Sequence, residues 1–455
     1  MSWAAYGWSG LALCLAFAPG FHVHAHDGGN DPTYYKDVEP LVRKYCIACH
    51  HPGEVAPFSL LKFEDVKKRA RQIADVTSAK VMPPWKAIRG YGKFIDGQQP
   101  LAEYEIDVFQ RWAKGGAAEG ANPSSAPSIA AESAAAQSWD LGTPDLIVTM
   151  PQTYTIPADG GDIYQCFVVP LNLSEDKYIA GIEYRPGNRK VVHHALFSKD
   201  ASGEAIRKDQ ADPAVGFRTL DAGTGLRVGY DGVIGLWTPG LVPRRLPDDV
   251  GVKLEKDSVL VIQNHYHPTG KIESDKSTLA LYFTKAPPRQ LAHYKTLYKF
   301  NFTIPPGEKH YLITNSEVQN EPCGVLAIMP HMHFLGDEMR VSLKNPKGET
   351  NPMVWVKDWE FKWQTQYFYA KPLGIAENSV IKIDAWFDNS QGNPKNPNNP
   401  PVLVREGRNS TDEMASIVLL VVEEERAHWS RYAALLAMGL VVSGGLFARH
   451  RSRSS

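Results

Sequence analysis

The chain has 455 residues, 43% hydrophobic and 22% charged, which supplies ample material for a core and excludes a mostly disordered, collagen-like or polytopic membrane protein. Lys and Arg number 49 against 50 Asp and Glu, a net charge of -1, so no basic excess holds a phosphate backbone and no nucleic-acid partner is expected. The length allows several domains at roughly 100–200 residues each.

Residues 1–25 read as a secretory signal peptide. Trp8 to Phe17 are mostly apolar and Val23-His24-Ala25 offers a small-residue cleavage site, although no Lys or Arg precedes the apolar run. A buried N-terminal helix is the competing reading. Cleavage would remove Cys14 and start the mature chain near His26. Residues 31–116 read as helical, with apolar residues at helical spacing in Glu64 to Ala79 and Glu103 to Lys114.

Within that segment, Cys46-Ile47-Ala48-Cys49-His50 has the C-x-x-C-H pattern of c-type haem attachment. Two thiols add to the haem vinyl groups, and the adjacent His supplies an axial ligand to iron. Met82, 32 residues after His50 in Met82-Pro83-Pro84-Trp85, is the expected sixth ligand, with His51 as its competitor. A Met/His pair raises the haem potential. A C-x-x-C disulfide or a zinc pair is the alternative. Tyr34 to Gly116 resembles bacterial cytochrome c domains, and the resemblance implies a small all-α domain around one covalently bound haem c.

Residues 117–138 are mostly Ala, Ser, Pro and Gly without an aromatic residue, the composition of a linker. From Trp139 to Glu424 the pattern changes to short β-branched and aromatic runs broken by Pro, Gly and Asn. Asp145 to Met150, Ser258 to Tyr266, Thr278 to Thr284, Val380 to Phe387 and Ala415 to Val422 are examples. This pattern favours β-sandwiches, two rather than one over such a length, with a break near Pro287-Pro288 at 139–286 and 287–426. Within 431–448, Tyr432 to Ala448 carry no charge and reach about 26 Å as a helix, close to a thin bilayer. Arg449, His450, Arg451 and Arg453 follow, which puts the C-terminus in the cytoplasm and the body outside. The expectation is an exported protein on the periplasmic face, anchored to the inner membrane by a C-terminal transmembrane helix. An amphipathic terminal helix and a cleavable sorting signal are the alternatives.

The remaining histidines cluster. His193-His194 is an adjacent pair, His265 and His267 flank Tyr266, and His331 and His333 flank Met332. An i, i+2 pair on a strand projects from one face and can reach one metal. An adjacent pair points to opposite faces, so joint ligation by His193 and His194 needs a bulge or twist. Any one pair is more often structural; three in apolar strands point to metal. Imidazole suits copper, zinc, iron and nickel, and a thioether shifts the choice toward copper.

These residues resemble the copper type II, ascorbate-dependent monooxygenases, the family of peptidylglycine alpha-hydroxylating and dopamine beta-monooxygenases. The resemblance spans Asp145 to Val422. It implies two all-β, jelly-roll-like sandwich domains with one copper on each. The first copper's ligands correspond to His193, His194 and His265, with Gln263 retained. The second's correspond to His331, His333 and Met414, the last within Asp412-Glu413-Met414. The implied activity is hydroxylation of a substrate C–H bond by O2 at the second copper, while the first stores and delivers an electron.

Some positions depart from the family. Met329 stands where the peptide-amidating enzyme has a carboxylate-gripping Arg, and Val418 where it has a Tyr, so peptide amidation is not expected. Cys166 and Cys323 remain after the leader and haem cysteines; they pair across the domains or are separate buried thiols. His267 has no counterpart and is read as a support for the ligands. The partners implied are O2, a small-molecule or peptide substrate, and a periplasmic electron donor or ascorbate-like reductant. A linker with a reach of roughly 25 Å leads to the expectation that the haem passes electrons to the copper at His193, His194 and His265.

Overall fold

The computed structural model describes residues 31–52, 56–95, 98, 100–122, 139–219, 226, 232–361 and 363–423. The expected leader, most of the expected linker and the expected span at 431–448 lie outside them.

A π-helical turn (Tyr34–Val38) leads into α1 (Glu39–Tyr45), α2 (Phe63–Lys68), α3 (Ala70–Ser78) and α4 (Glu103–Lys114). Ile106, Phe109 and Trp112 of α4 recur at helical spacing and bury against Val38, Val42 and Ile73. Glu105, buried on α4, accepts the Tyr45 hydroxyl at 2.9 Å and the Ala102 N–H at 2.7 Å. That carboxylate therefore caps α4 and ties it to the end of α1, beside Cys46.

The β region opens with β1 (Leu146–Thr149), β2 (Tyr154–Ile156), β3 (Ile163–Pro170), β4 (Lys177–Arg185) and β5 (Val192–Asp200). After α5 (Glu204–Ala211) come β6 (Phe217–Thr219), β7 (Val233–Trp237), β8 (Val250–Leu254), β9 (Val259–Tyr266), β10 (Glu273–Asp275) and β11 (Thr278–Phe283). The later part holds β12 (Gln290–Tyr298), β13 (Thr303–Ile304), β14 (Lys309–Gln319), β15 (Cys323–His331) and β16 (Gly336–Lys344). It ends with β17 (Thr350–Lys357), β18 (Tyr367–Ile375), β19 (Ser379–Asp388), β20 (Val404–Arg405) and β21 (Ser416–Glu423).

An eight-stranded sheet, β1-β11-β4-β8-β12-β21-β15-β18, runs through both parts. Parallel pairing of Gln290 with Val250 and of Leu291 with Gly251 makes the join. A five-stranded sheet, β6-β3-β9-β5-β7, and a four-stranded sheet, β14-β19-β16-β17, complete the layers. One core fills the space between the five-stranded sheet and the long sheet, and a second lies between the long sheet and the four-stranded one. β21 belongs to both cores. Leu420 and Val422 enter the first, Ile417, Leu419 and Val421 the second. Period-two alternation between two buried faces explains why this strand reads as a continuous apolar run.

Two expectations are corrected. The first is the fold class. The chain is mostly β, and the helical segment is not a sizeable all-α domain standing before the sandwiches. Its helices are short, and the stretch between α3 and α4 is extended and docks on the β region. Ala87 bridges to Val356 and Phe94 to Tyr369. Ile88 N–H donates to Trp355 O at 2.7 Å and Ile95 N–H to Phe368 O at 3.0 Å. Ala87 and Phe94 thereby become part of the second core. The second is the membrane anchor and the inner-membrane localisation built on it. No helix among the described residues is long and apolar enough to cross a membrane. The longest α-helix, α4 with 12 residues, spans about 18 Å against a hydrocarbon core of about 30 Å. The described residues therefore give no support to the inner-membrane anchor, and the expected span itself lies outside them.

Candidate metal centres and cleft

His193 and His194 lie on β5 and His265 on β9, neighbouring strands of the five-stranded sheet. The β5–β9 register slips between Val192 and His194, leaving His193 as an extra residue. Such a bulge turns two consecutive side chains toward one place. His193 Nδ1 is 3.2 Å from His194 Nδ1, which is 3.3 Å from His265 Nδ1. One ring nitrogen from each lies within 4.8 Å of the others, a spacing that could hold a metal ion. Burial pushes the His194 pKa well down, helped by the charges of His265, His193, His331 and His333. A neutral imidazole is the form that ligates.

Asp162, just before β3, supports this trio. Its Oδ2 lies 3.0 Å from His265 Nε2, an ion-pair contact off the line of a hydrogen bond, and its Oδ1 lies 2.8 Å from His267 Nδ1. Burial raises its pKa, but the close contacts and charges of His265 and His267 more than offset that and hold it below the carboxylate range. Tyr164 stacks on His265 with ring centroids 4.3 Å apart. His267 points to Asp162 and is 72% exposed, so it sits outside the trio.

His331 ends β15, and His333 follows in the turn to β16. Their ring centroids are 5.1 Å apart. His331 Nδ1 donates to Gln364 Oε1 at 2.5 Å, and His333 Nδ1 donates to Asp412 O at 3.0 Å. Each ring therefore keeps Nε2 for a metal. His331 pairs with Ser416 at the end of the ladder, and beyond it the N–H groups of His333 and Met414 both donate to Glu413 Oε2. Glu413 locks this corner. Its buried carboxyl accepts the N–H groups of His333 (2.9 Å), Leu335 (2.5 Å) and Met414 (3.2 Å). Burial pushes its pKa up to about 8 against the pull of those donors. Burial lowers His331, and lowers His333 to about 3 with the His331 charge adding to it. Met329 and Val418 are cross-strand partners, so the two departures from the family sit side by side.

The two histidine sets meet at one side chain. Phe361, in the turn between β17 and β18, stacks on His193 at 5.8 Å and meets His333 edge-on at 5.8 Å. Phe334 packs on it at 4.6 Å.

Cys46, Cys49 and His50 follow α1 in a tight turn, with Cys49 and His50 N–H groups both donating to Cys46 O. His50 Nδ1 donates to Phe58 O at 3.1 Å, which leaves Nε2 for an axial bond. Burial lowers the His50 pKa and pushes the Cys46 thiol up to about 12. A cleft of about 220 Å³ lies beside this turn. The helical segment lines it with Arg43, Lys44, Cys49 and Pro83-Pro84-Trp85, the first β part with Gly240 and Arg244, and the later part with Trp363 and Gln364. Arg244 Nε is buried without a hydrogen-bond partner. Of the Cys46, Cys49 and His50 motif only Cys49 lines the cleft; its thiol, and Arg244 with its unpartnered Nε beside Arg43 and Lys44, are of the chemistry that a thioether-bound haem with two propionates would use. Met82 does not line the cleft, although its three successors do. His51 Nδ1 is turned to Pro52 O. Cys166 is buried on β3 of the five-stranded sheet and Cys323 is half-buried on β15 of the eight-stranded one.

Sequence reasoning missed Asp162, Phe361, Gln364 and Arg244. The one available signal was the density of Trp359, Phe361 and Trp363 in a segment with no strand alternation.

No protein-family profile and no curated protein matches the chain. Among solved structures, it is similar to the major capsid protein P2 of bacteriophage PM2, at 10% identity over 61% of this chain and 97% of that one, with a TM-score of 0.25. It is also similar to infectious bursal disease virus VP2 in its subviral particle, at 12% identity over 62% and 73%, with a TM-score of 0.20. Likenesses this low carry no argument about the chain.

Proposed function

We propose that the protein is a copper-dependent monooxygenase that hydroxylates a C–H bond of an organic substrate with O2, using electrons delivered through a covalently held c-type haem. The observation that carries this reading is the meeting of two separate imidazole sets at Phe361. Copper, when bound, supplies one-electron and O2 chemistry, and haem supplies electrons singly.

The chain's own residues do the rest. His193, His194 and His265 offer Nδ1 atoms to one ion, and Asp162 orients His265. His331 and His333 offer Nε2 to the other, with the Met414 thioether favouring Cu(I). Burial keeps His194, His331 and His333 uncharged near neutral pH, so no proton must leave them before a metal binds. Phe361 and Phe334 pack together as an apolar pair beside the two sets. Cys46, Cys49 and His50 would hold the haem, and Arg244 would be the cation available to its propionates. The partners are O2, a small-molecule or peptide substrate, and an ascorbate-like or protein reductant.

The test is O2 uptake by copper- and haem-loaded protein with ascorbate and a panel of C–H substrates, using isotopically labelled O2. Substrate-dependent uptake with labelled oxygen in the product is expected. Copper and haem binding without any substrate-coupled uptake would replace the oxygenase with a non-catalytic electron-transfer or copper-handling protein.

A further inference from the structure

The turn from Asp358 to Gln366 reaches three places at once. Trp359 Nε1 donates to His333 O at 3.2 Å. Phe361 lies against His193 and His333. Trp363 and Gln364 form part of the cleft beside Cys49. Gln364 is thus shared between the cleft and a histidine. Its Oε1 accepts from His331 Nδ1 at 2.5 Å, and its Nε2 donates to Phe361 O at 3.0 Å. No histidine of either set lines the cleft, and Gln364 is the lining residue whose side chain hydrogen-bonds to one of them.

We infer that Gln364 couples the cleft to His331, so that an electron arriving in the cleft enters the centre of His331, His333 and Met414. The inference rests on the functional reading above and differs from the sequence-based expectation, which sent the electron to the His193 trio. In the step, one electron leaves ferrous haem iron, which becomes ferric. It reduces a cupric ion at the second centre to cuprous, and no atom or proton moves. Gln364 is a positioning residue in this scheme. Its amide oxygen fixes the Nδ1–H tautomer of His331, keeps Nε2 on the metal, and makes the cleft wall continuous with a ligand ring.

The experiment uses the full chain loaded with haem and copper. Under anaerobic conditions a photosensitiser delivers one electron to the haem, and its reoxidation is followed by visible absorption. Freeze-quenched samples are read by EPR for remaining Cu(II). In the parent protein, fast haem reoxidation should coincide with loss of one Cu(II) signal. Gln364→Leu, loaded with enough copper to offset its weakened hold on His331, should lose the fast phase while its haem spectrum and both resting Cu(II) signals persist. Gln364→Glu, which keeps an acceptor for His331 Nδ1, should retain it. Met414→Ala should also lose it. A fast phase surviving in Gln364→Leu or in Met414→Ala would overturn the route. Absence of covalent haem, or of copper at the second centre in the parent, would instead refute the functional reading and the route with it.

Discussion

Replacing Asp162 with Asn tests whether the His193, His194 and His265 trio is an oriented metal site. The carboxylate faces His265 Nε2 at 3.0 Å, and the other ring nitrogen faces the trio. Asn keeps the volume but removes the negative charge that fixes the ring and strengthens it as a donor. Loss of such a supporting group typically weakens metal binding by about 10–100-fold, or roughly 1.4–2.7 kcal/mol. The Asp162 side chain is 26% exposed, so water screens part of the contact, and the lower end of that range, about tenfold, is expected. The assay is a Cu(II) competition titration against a chelator, performed in His331→Ala plus His333→Ala so that the first centre alone is read. His267→Ala serves as the control. At 72% exposure that ring touches Asp162 from the solvent side, and its loss should change affinity much less. Unchanged affinity in Asp162→Asn would refute the orienting role. An equal loss in both variants would locate the effect in the charge network and not in the ring contact.

Three further outcomes follow from the packing and the charges. Glu413→Ala strips the acceptor from three N–H groups at about 1–3 kcal/mol for each buried group left unsatisfied. Urea unfolding should show a loss of about 3 kcal/mol or more, and copper should be lost from the second centre alone. For metal-free protein, the pKa of His333 is about 3 when folded and near 6.5 when unfolded. The folded state binds fewer protons between those values, so its stabilising contribution is present above about pH 6.5 and is lost as the pH falls toward 3. Thermal unfolding from pH 7.5 downward should show this decline, and a flat profile across that window would contradict the burial. Phe94→Ala removes a 4%-exposed ring from the second core and should cost about 3–5 kcal/mol. Tryptophan fluorescence and haem absorbance should shift together, whereas a haem-segment transition moving alone would restore the independent α-domain.

The parts of this molecule that were legible in the sequence are those with a short internal period or a fixed spacing. The strand character of Thr278 to Thr284 and Ala415 to Val422 could be read from their short apolar runs of aromatic or β-branched residues. The adjacency of His193 and His194 already demanded a bulge, and the ladder slips at that point. Contacts between distant segments leave no such trace. Pro84 to Gln98 has neither helical nor strand periodicity, and its partners on β17 and β18 lie more than 250 residues later. Cysteine and histidine spacing therefore announced a haem motif, while nothing local showed that the chain after it is built into the second core. Asp162, Phe361 and Gln364 escaped for the same reason: each lies outside the strands that carry the histidines it touches. A ligand's chemistry is written in its residue type. Its orientation is set by a neighbour that only the folded chain supplies, and Gln364 acquires its place between the cleft and His331 only when three segments far apart in sequence close around it.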